Sequence, residues 1–505
     1  MSDELDIQRT EAQAVQDRSS YRQIVKATSL FGGVQVITIL FGIIRVKFVA
    51  VLLGTQGVGI IGLLNSPLQL IASVTGLGIS FSAVRDVSEA NASNDKFRIL
   101  KTIISLRRWS WFTGLLGVVV TMVFAPLLSQ WSFGSKEYTW AFIWLSITLL
   151  LQAISKGQTA ILQGTRRLKQ MAKAGVIGSG LGLVTSIPLY YWLGISGIVP
   201  ALILSAVASL LLSWYFSRKV AVEKITLTKR ETFITGTNMA RLGISMTIAG
   251  FIASLSTYIL NAFISNHGGV EQVGLYNAGW GVVGQYTAII FAAMATDYFP
   301  RLSAVQNNND EVKKLVNQQV DSALLIVSPL LILLVVMMPV VVRILYTPAF
   351  VPVVMFTTLT VLGIPFKTVS WAMGYVYLAK GDGKLFLILE VIMGVVILTM
   401  NLLLYYFYGL NGLGVSFILT YMLGVIISFI VLKHRYEFSL PQRFLPQFII
   451  QYCFLLLTFA TCFLKNDVLR YAAGAFVFAI TLALSYRRLN ELLDFKSFFA
   501  SRLKK

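Results

Sequence analysis

The chain has 505 residues, of which 56% are hydrophobic and only 13% are charged, and its mean hydropathy is +0.74. A water-soluble domain needs a polar surface that this composition cannot supply, so soluble globular classes are excluded and the lipid bilayer must be the solvent. The net charge of +20 does not indicate a nucleic-acid partner, because the basic residues lie between apolar runs and are not clustered with aromatic residues.

The N-terminal segment, residues 1–23, is polar and lacks the charged start, apolar core and cleavage site of a secretory signal. Beyond it, apolar runs alternate with polar connections. A helix needs about 20 apolar residues to cross the hydrocarbon, and only helices or closed barrels satisfy their backbone there. Fourteen runs are long enough, which predicts an all-α polytopic membrane protein with 14 transmembrane helices. In chain order the runs are 24–53, 57–84, 109–130, 140–163, 172–193, 198–217, 241–264, 272–296, 319–345, 350–378, 385–407, 412–432, 447–464 and 468–486.

The Lys and Arg residues predict the orientation in the membrane. Most of the 42 basic residues lie in the N-terminal segment, in every second connection and at the C-terminus, and such segments stay on the cytoplasmic side. We therefore expect a multi-pass protein of the bacterial inner membrane with both termini in the cytoplasm. The external connections are very short turns, such as 54–57, 194–197 and 409–412, so no folded domain is expected outside.

An internal repeat organises most of the chain. The start of the second run, 56–59, matches the start of the eighth, 271–274, and Gly194 matches Gly409 at the same separation along the chain, which we call the repeat offset. Chance glycines in turns are the alternative. Six helices per repeat is an even number, so both halves have the same orientation, related by an axis along the membrane normal. The predicted parts are a cytoplasmic segment (1–23), an N-lobe (24–217), a cytoplasmic linker (218–240), a C-lobe (241–432), a loop with accessory helices 13 and 14 (433–486) and a basic cytoplasmic tail (487–505).

Three basic residues lie well inside their apolar runs: Arg45 and Lys47 in the first and Lys367 in the tenth. A charge at the centre of a membrane helix costs about 2.5 to 3.5 kcal/mol on insertion scales, so such residues predict a function. We interpret them as the cationic part of a polar cleft that binds an anionic group, such as phosphate or pyrophosphate. Arg45 and Lys47 are about 200° apart on an ideal helix, so without a kink only one of them faces the cleft.

Polar residues follow helical spacing on the first two helices and on the seventh. We expect them to line the same cleft, and close helix packing through small and hydroxyl residues is the alternative interpretation. The predicted lining residues are Gln35, Thr38, Asn65, Gln69, Ser254, Tyr258 and Asn261. Charged residues nearer the ends of their runs are expected to extend to the interface. They are Lys156, Arg343 and Glu390.

No motif predicts catalysis or a bound metal. Cys453 and Cys462 lack metal-ligand spacing, His267 and His434 lie in connections without a triad partner, and no Walker-type phosphate loop occurs. We therefore expect no catalytic residue, no metal and no cofactor, and the chain is not expected to be an enzyme. A proton or sodium gradient is the expected source of energy for any coupled transport.

Three stretches resemble a known family. They are 47–54 followed by 57–59, then 298–303, and Lys367 followed by 374–380 and Glu390. Through them, about the first 435 residues resemble the polysaccharide branch of the multidrug/oligosaccharidyl-lipid/polysaccharide exporter (MOP) superfamily, particularly the O-antigen and enterobacterial-common-antigen flippases.

The resemblance implies a V-shaped pair of six-helix lobes that alternates between inward-open and outward-open states. The implied cargo is an undecaprenyl-pyrophosphate-linked oligosaccharide, namely an O-antigen, common-antigen or exopolysaccharide repeat unit. Lys47 and Lys367 would attract its pyrophosphate and sugars, whereas Arg45 is assigned from its own position. The implied partners are membrane lipids, a glycan polymerase and a chain-length regulator.

Two alternatives belong to the same superfamily. Many relatives have twelve helices and lipid II flippases have fourteen, so a lipid II flippase is the first alternative. A multidrug or organic-cation antiporter is the second, but it would need a carboxylate at depth. A membrane-bound glycan polymerase or ligase is disfavoured by the short external turns.

Overall fold

The structure is a computed structural model. It describes the backbone of residues 2–93, 95–220, 227–441 and 444–493, and the side chains from residue 34 onward within these ranges, apart from 35–36, 492–493 and scattered positions between 229 and 296. Every regular element of the described chain is helical, and no strand occurs in it. The helices are α1 (Ser2–Thr75), α2 (Ile79–Ala92), α3 (Lys96–Phe133), α4 (Thr139–Gly164), α5 (Leu168–Leu193), α6 (Ile198–Ser217), α7 (Lys229–Gly268), α8 (Val270–Ala304), α9 (Asn309–Leu345), α10 (Val353–Ala379), α11 (Gly383–Tyr436), α12 (Phe444–Thr461) and α13 (Asp467–Leu493), with 3-10 turns at Gly194–Gly197 and Pro348–Phe350.

Two of these helices each consist of two membrane helices joined at a glycine. Gly54 in α1 (φ 66°, ψ −162°) and Gly409 in α11 (φ 59°, ψ −144°) leave the helical conformation. This backbone region is open almost only to glycine, so each glycine marks the end of one helix and the start of the next. With α2 as the continuation of the second run, the described chain has a helix for each of the fourteen predicted runs. The predicted all-α fold is confirmed.

Length and composition agree with a membrane as the surrounding solvent. Nine segments of the described chain are long and apolar enough to cross a bilayer, and three of them join two predicted runs each: Ile37–Thr75, Leu168–Ser217 and Gly383–Tyr436. Large side chains such as Trp192 and Trp140 are 76% and 69% exposed, which suits contact with lipid rather than water. The protein is a multi-pass membrane protein.

The second predicted run, 57–84, is not one continuous helix. α1 and α2 are separated by Gly76, Leu77 and Gly78, and the last two have positive φ values of 49° and 63°. Gly78 tolerates this conformation because it has no Cβ, and a Cβ there would also overlap the backbone of Gly243 in α7. Hydropathy does not detect the break, because the sequence on both sides of it is apolar.

Several helices continue beyond the apolar runs into polar sequence. α3 begins at Lys96 and α7 at Lys229, each well before its predicted run. The Asp95 carboxylate accepts hydrogen bonds from the N–H groups of Phe97 (2.9 Å) and Arg98 (3.2 Å) and so caps α3. Hydropathy marks only the part of a helix that lies in hydrocarbon, so these charged first turns were not predicted.

The predicted repeat is visible in the backbone. Gly194 has φ 56° and ψ −131°, and Gly409, its counterpart at the repeat offset, has φ 59° and ψ −144°. Gly197 and Gly412 follow them by three residues and make the same contact, because a Cβ on either would overlap the carbonyl oxygen eight residues earlier. The two predicted repeats therefore share local backbone geometry at these glycines.

The chain divides into two compact units. Unit 1 comprises 1–53 and 64–255, and unit 2 comprises 54–63 and 256–505. In unit 1, apolar side chains of α2, α3 and α4 form a core cluster. In unit 2, the corresponding cluster comes mainly from α8, α9 and α10. The limits of the lobes, the linker and the accessory pair remain predictions.

Candidate functional site

Lys367 lies near the middle of α10 (Val353–Ala379) in unit 2. The preceding part of this helix is enclosed on all sides, since every residue from Phe356 to Pro365 is buried. Lys367 itself is half-buried, whereas its neighbour Thr368 is fully buried. From Lys367 onward, α10 therefore has one buried side and one open side.

Aromatic rings surround the Lys367 ammonium group. Its Nζ lies 5.5 Å from the ring centre of Phe291 in α8, and 5.7 Å and 5.5 Å from those of Phe417 and Tyr421 in α11. The negative faces of such rings attract a cation, each by on the order of 0.5 to 2 kcal/mol. Among the described residues, no carboxylate forms an ion pair with Lys367. The rings therefore stabilise the charge without neutralising it.

The other two predicted cations, Arg45 and Lys47, lie in α1 within unit 1. Both side chains are half-buried, and both come about two helical turns before the interruption at Gly54. The three predicted cations are thus divided between the two units. Arg45 and Lys47 both remain predicted cleft residues.

The predicted lining residues of unit 1 lie on α1 and α7. The hydroxyl groups of Thr38 and Ser254 donate to the carbonyl oxygens four residues earlier, at 2.9 Å and 2.8 Å, a bond that lets a hydroxyl satisfy itself inside a membrane helix. Asn65 is half-buried and Gln69 is exposed, while the side chain of Gln35 lies outside the described residues. Their role in lining a cleft remains a prediction.

The predicted lining residues of unit 2, Tyr258 and Asn261, are buried, with 5% and 1% of their surface exposed. Asn277 of α8 donates from Nδ2 to Asn261 Oδ1 (3.4 Å) and to the Val273 carbonyl oxygen (3.0 Å). Asn261 thus takes part in a contact between α7 and α8. Such a contact is what we expect if the polar residues at helical spacing serve close helix packing. Sequence reasoning missed Asn277. It is the counterpart of Gly62 at the repeat offset, and a Cβ added to Gly62 would overlap the Asn277 side chain.

A cavity of about 60 Å³ in unit 1, lined by both polar and apolar residues, was also missed. It has room for several water molecules, and its wall includes Lys156 and Gln152, one turn apart on α4. Lys156 was expected only to extend to the interface. The repeat held a signal for this site, because Gln152 is the counterpart of Lys367 at the repeat offset. The other lining residues are Ala72, Thr75, Gly76, Ser80, Ser110, Thr113, Leu149 and Ala153.

Metal-binding groups and thiols are the other side chains of chemical interest. No group of three or more His, Cys, Asp and Glu side chains in the described part of the chain could hold a metal ion, and Cys453 and Cys462 are free thiols. What the candidate site offers is a fixed cation inside a membrane helix, bordered by aromatic rings. Such an arrangement suits an anionic ligand.

A family model described as "Polysaccharide biosynthesis protein" matches residues 48–355, more than half of the chain. The chain belongs to this family. The matched part begins just after Lys47 and ends before Lys367, so the match itself does not cover the three predicted cations. No curated protein sequence matches this member of the family.

Solved structures of MOP-superfamily transporters share the fold of this polysaccharide biosynthesis protein. An inward-facing multidrug resistance MATE-family transporter is 19% identical, with a TM-score of 0.65 over 79% of this chain and 94% of that one. The lipid II flippase MurJ, in an inward closed conformation, is 14% identical, with a TM-score of 0.67 over 92% and 99%. A MOP-superfamily transporter from Pyrococcus furiosus with reverse polarity of its binding pocket is 18% identical, with a TM-score of 0.53 over 80% and 93%. The resemblance stated from the sequence is confirmed for family and fold.

Proposed function

We propose that the protein is a flippase for an undecaprenyl-pyrophosphate-linked oligosaccharide. It moves an O-antigen, common-antigen or exopolysaccharide repeat unit from the cytoplasmic to the periplasmic leaflet of the bacterial inner membrane, with both of its own termini in the cytoplasm. The cargo is not altered covalently. Membership of the polysaccharide biosynthesis family and the fold of MOP transporters support this class of function.

The observation that carries the proposal is the environment of Lys367. A cation in the middle of a membrane helix costs about 2.5 to 3.5 kcal/mol on insertion scales, and the three aromatic rings offset this cost without supplying a full negative charge. Among the described residues, no carboxylate forms an ion pair with this cation. A pyrophosphate supplies the missing negative charge as well as acceptor oxygens for the ammonium group. Lys367 therefore binds the anionic link between the lipid and the sugars.

In the proposed mechanism the two repeats alternate access to the two sides of the membrane. The sugars cross in a polar cleft while the lipid tail stays in the bilayer. Arg45 and Lys47 provide further positive charge along the route. A proton or sodium gradient drives the cycle, and a glycan polymerase and a chain-length regulator take over the product in the periplasm.

The first alternative cargo is lipid II, which carries the same type of pyrophosphate link. It is favoured by the extent of the structural likeness to MurJ, which covers 92% of this chain against 79% for the MATE transporter. An organic-cation antiporter is disfavoured because the charge in the middle of α10 has the wrong sign for a cationic substrate.

The test is transport by the purified full-length protein in proteoliposomes. Three probes are compared: a labelled undecaprenyl-pyrophosphate-linked oligosaccharide, labelled lipid II and an organic cation. We expect the oligosaccharide lipid to change leaflet faster than in protein-free liposomes, and the organic cation to stay where it is. A preference for lipid II would favour the first alternative, and movement of the organic cation alone would contradict the proposal.

A further inference from the structure

The open side of α10 continues from Lys367 toward the C-terminal end of the helix. Lys367, Trp371, Gly374 and Leu378 follow the i, i+4, i+7, i+11 spacing of one helix face. Trp371 and Gly374 are half-buried and Leu378 is exposed. A Cβ built on Gly374 would meet no atom within 4 Å. This face therefore borders unfilled space at Gly374, and Tyr375 lies beside that position.

The opposite face of α10 provides the packing in this region. Its residues are fully buried in the core of unit 2 and have at most 1% of their surface exposed. They are Thr368, Val369, Ala372, Met373 and Val376. Trp371 and Tyr375 pack against the edge of this core and keep part of their surface exposed.

Neighbouring rings hold Trp371 and Tyr375 in place. The two rings are 5.0 Å apart between centres and inclined at 62°, and Trp371 also contacts Phe291 (5.3 Å) and Tyr298 (5.8 Å). Tyr298 is fully buried, and its hydroxyl donates to the Ala372 carbonyl oxygen at 2.9 Å. Tyr298 therefore fixes the orientation of the two rings. A preorganised pair of rings binds a ligand without a large entropic cost.

The open face does not suit contact with lipid. Charged residues within membrane helices face a protein interior or a water-filled cavity rather than acyl chains. Trp371 follows Lys367 by one turn on the same face, and Phe291 contacts both residues. Through Phe291, Trp371 and the ammonium group therefore belong to one cluster of side chains on this face.

The rings are also not a requirement of the fold. At the repeat offset, the corresponding face of α4 carries no aromatic residue. It consists of Gln152, Lys156, Thr159 and Gln163, which correspond to Lys367, Trp371, Gly374 and Leu378. Equivalent helices of the two repeats fold with different chemistry on this face, so a helix at this position does not itself require aromatic residues.

We propose that Trp371 and Tyr375 form a sugar-binding subsite next to Lys367. Two pyranose rings stack their C–H faces on the indole and phenol rings, while the pyrophosphate rests on the Lys367 ammonium group. The negative face of an aromatic ring attracts the weakly positive C–H groups of a sugar. The three side chains follow each other at about 6 Å along the helix axis, which matches a phosphate followed by two linked sugars.

This proposal rests on the proposed function, and its test separates the sugar from the pyrophosphate. Dissociation constants are measured for the purified full-length protein with undecaprenyl pyrophosphate and with the same lipid carrying an oligosaccharide. Trp371→Ala should raise the Kd for the sugar-bearing lipid by about tenfold and leave that for the sugar-free lipid unchanged. Lys367→Met should raise both, and Trp371→Phe should retain most of the preference for the sugar-bearing lipid.

The matched control is Trp192→Ala, which removes an indole that is 76% exposed in unit 1 and should change neither constant. If Trp371→Ala does not assemble, Tyr375→Leu removes a ring while filling most of its volume, and it serves the same comparison. An equal effect of these variants on both lipids, or none on either, would overturn the subsite. Failure of the wild-type protein to bind either lipid would instead overturn the proposed function.

Discussion

Gly59 and Gly274 occupy equivalent positions in the two repeats, and each packs against the helix that carries the other. A Cβ on Gly59 would overlap the Val270 carbonyl oxygen, and a Cβ on Gly274 would overlap that of Thr55. Thr55 and Val270 are themselves counterparts at the repeat offset. The contact is therefore reciprocal, like the contact across a two-fold axis between identical subunits. Only glycine lets the two backbones approach this closely.

Replacing either glycine by alanine should destabilise the protein. The obstacle is a backbone carbonyl, which cannot move aside as a flexible side chain could, so we expect a loss of about 1 to 3 kcal/mol for Gly59→Ala and for Gly274→Ala. Gly42→Ala is the control, because a Cβ there would meet nothing within 4 Å, and alanine is the better helix former. Thermal unfolding in detergent checks the prediction, and equal melting temperatures for Gly59→Ala and Gly42→Ala would refute it.

The cavity beside Lys156 should be accessible to water. In a variant with Cys453 and Cys462 replaced by alanine, Lys156→Cys should react with a charged, membrane-impermeant thiol reagent, since ionic reagents follow water. Ile147→Cys is the control, because Ile147 is 38% exposed but lies on the opposite face of α4. If both cysteines react at the same rate, the cavity does not determine which positions of α4 the aqueous reagent reaches.

Asp382 connects the start of α11 to its end. Its carboxylate accepts hydrogen bonds from the Leu385 N–H (3.4 Å), from Arg435 Nη2 (3.1 Å) and from the Tyr436 hydroxyl (3.2 Å). Partial burial raises the pKa of Asp382, but these hydrogen bonds and the charge of Arg435 outweigh it, so the pKa lies below its ordinary value. The ionised carboxylate thus holds two ends of the helix pair together.

Asp382→Asn should lower the melting temperature at neutral pH. The pKa of Asp382 is about 3.9 in the unfolded chain and lower in the folded protein. The carboxylate therefore stabilises the fold at pH values above the unfolded pKa. Its contribution disappears as the pH falls through the folded pKa. Melting temperatures between pH 7 and pH 3 should therefore converge for the wild type and the variant. The control is Asp297→Asn, which breaks an exposed ion pair with Arg301 and should change the melting temperature little at any pH. A pH-independent effect of Asp382→Asn on the melting temperature would contradict a stabilising role of the ionised Asp382 carboxylate.

The sequence predicts the number and order of the membrane helices because each crossing needs a long apolar run, and few other structures need one. The glycine offset predicts the repeat because Gly194 and Gly409 adopt backbone conformations open almost only to glycine. The break at Leu77 and Gly78 leaves hydropathy unchanged, so it could not be predicted in the same way.

For the candidate site, the sequence identified Lys367 by its depth in an apolar run. It could not identify the rings around the ammonium group, because Phe291 and Tyr421 come from other helices and meet Lys367 only in the folded protein. The aromatic residues of a membrane protein are too numerous for spacing alone to select these ones. Asn261 was also predicted from its position in the sequence, as a cleft-lining residue. In the structure its side chain accepts a hydrogen bond from Asn277, which is a contact between helices.

The measurement that tests the central claim most directly is lipid translocation by Lys367 variants in proteoliposomes containing the labelled undecaprenyl-pyrophosphate-linked oligosaccharide. A hydrogen bond to a charged group contributes about 1.5 to 3 kcal/mol, so Lys367→Met should slow translocation by about one to two orders of magnitude. Lys367→Arg, which keeps the charge, should remain active. Translocation by Lys367→Met at the wild-type rate, with equal amounts of folded protein in the liposomes, would contradict the account.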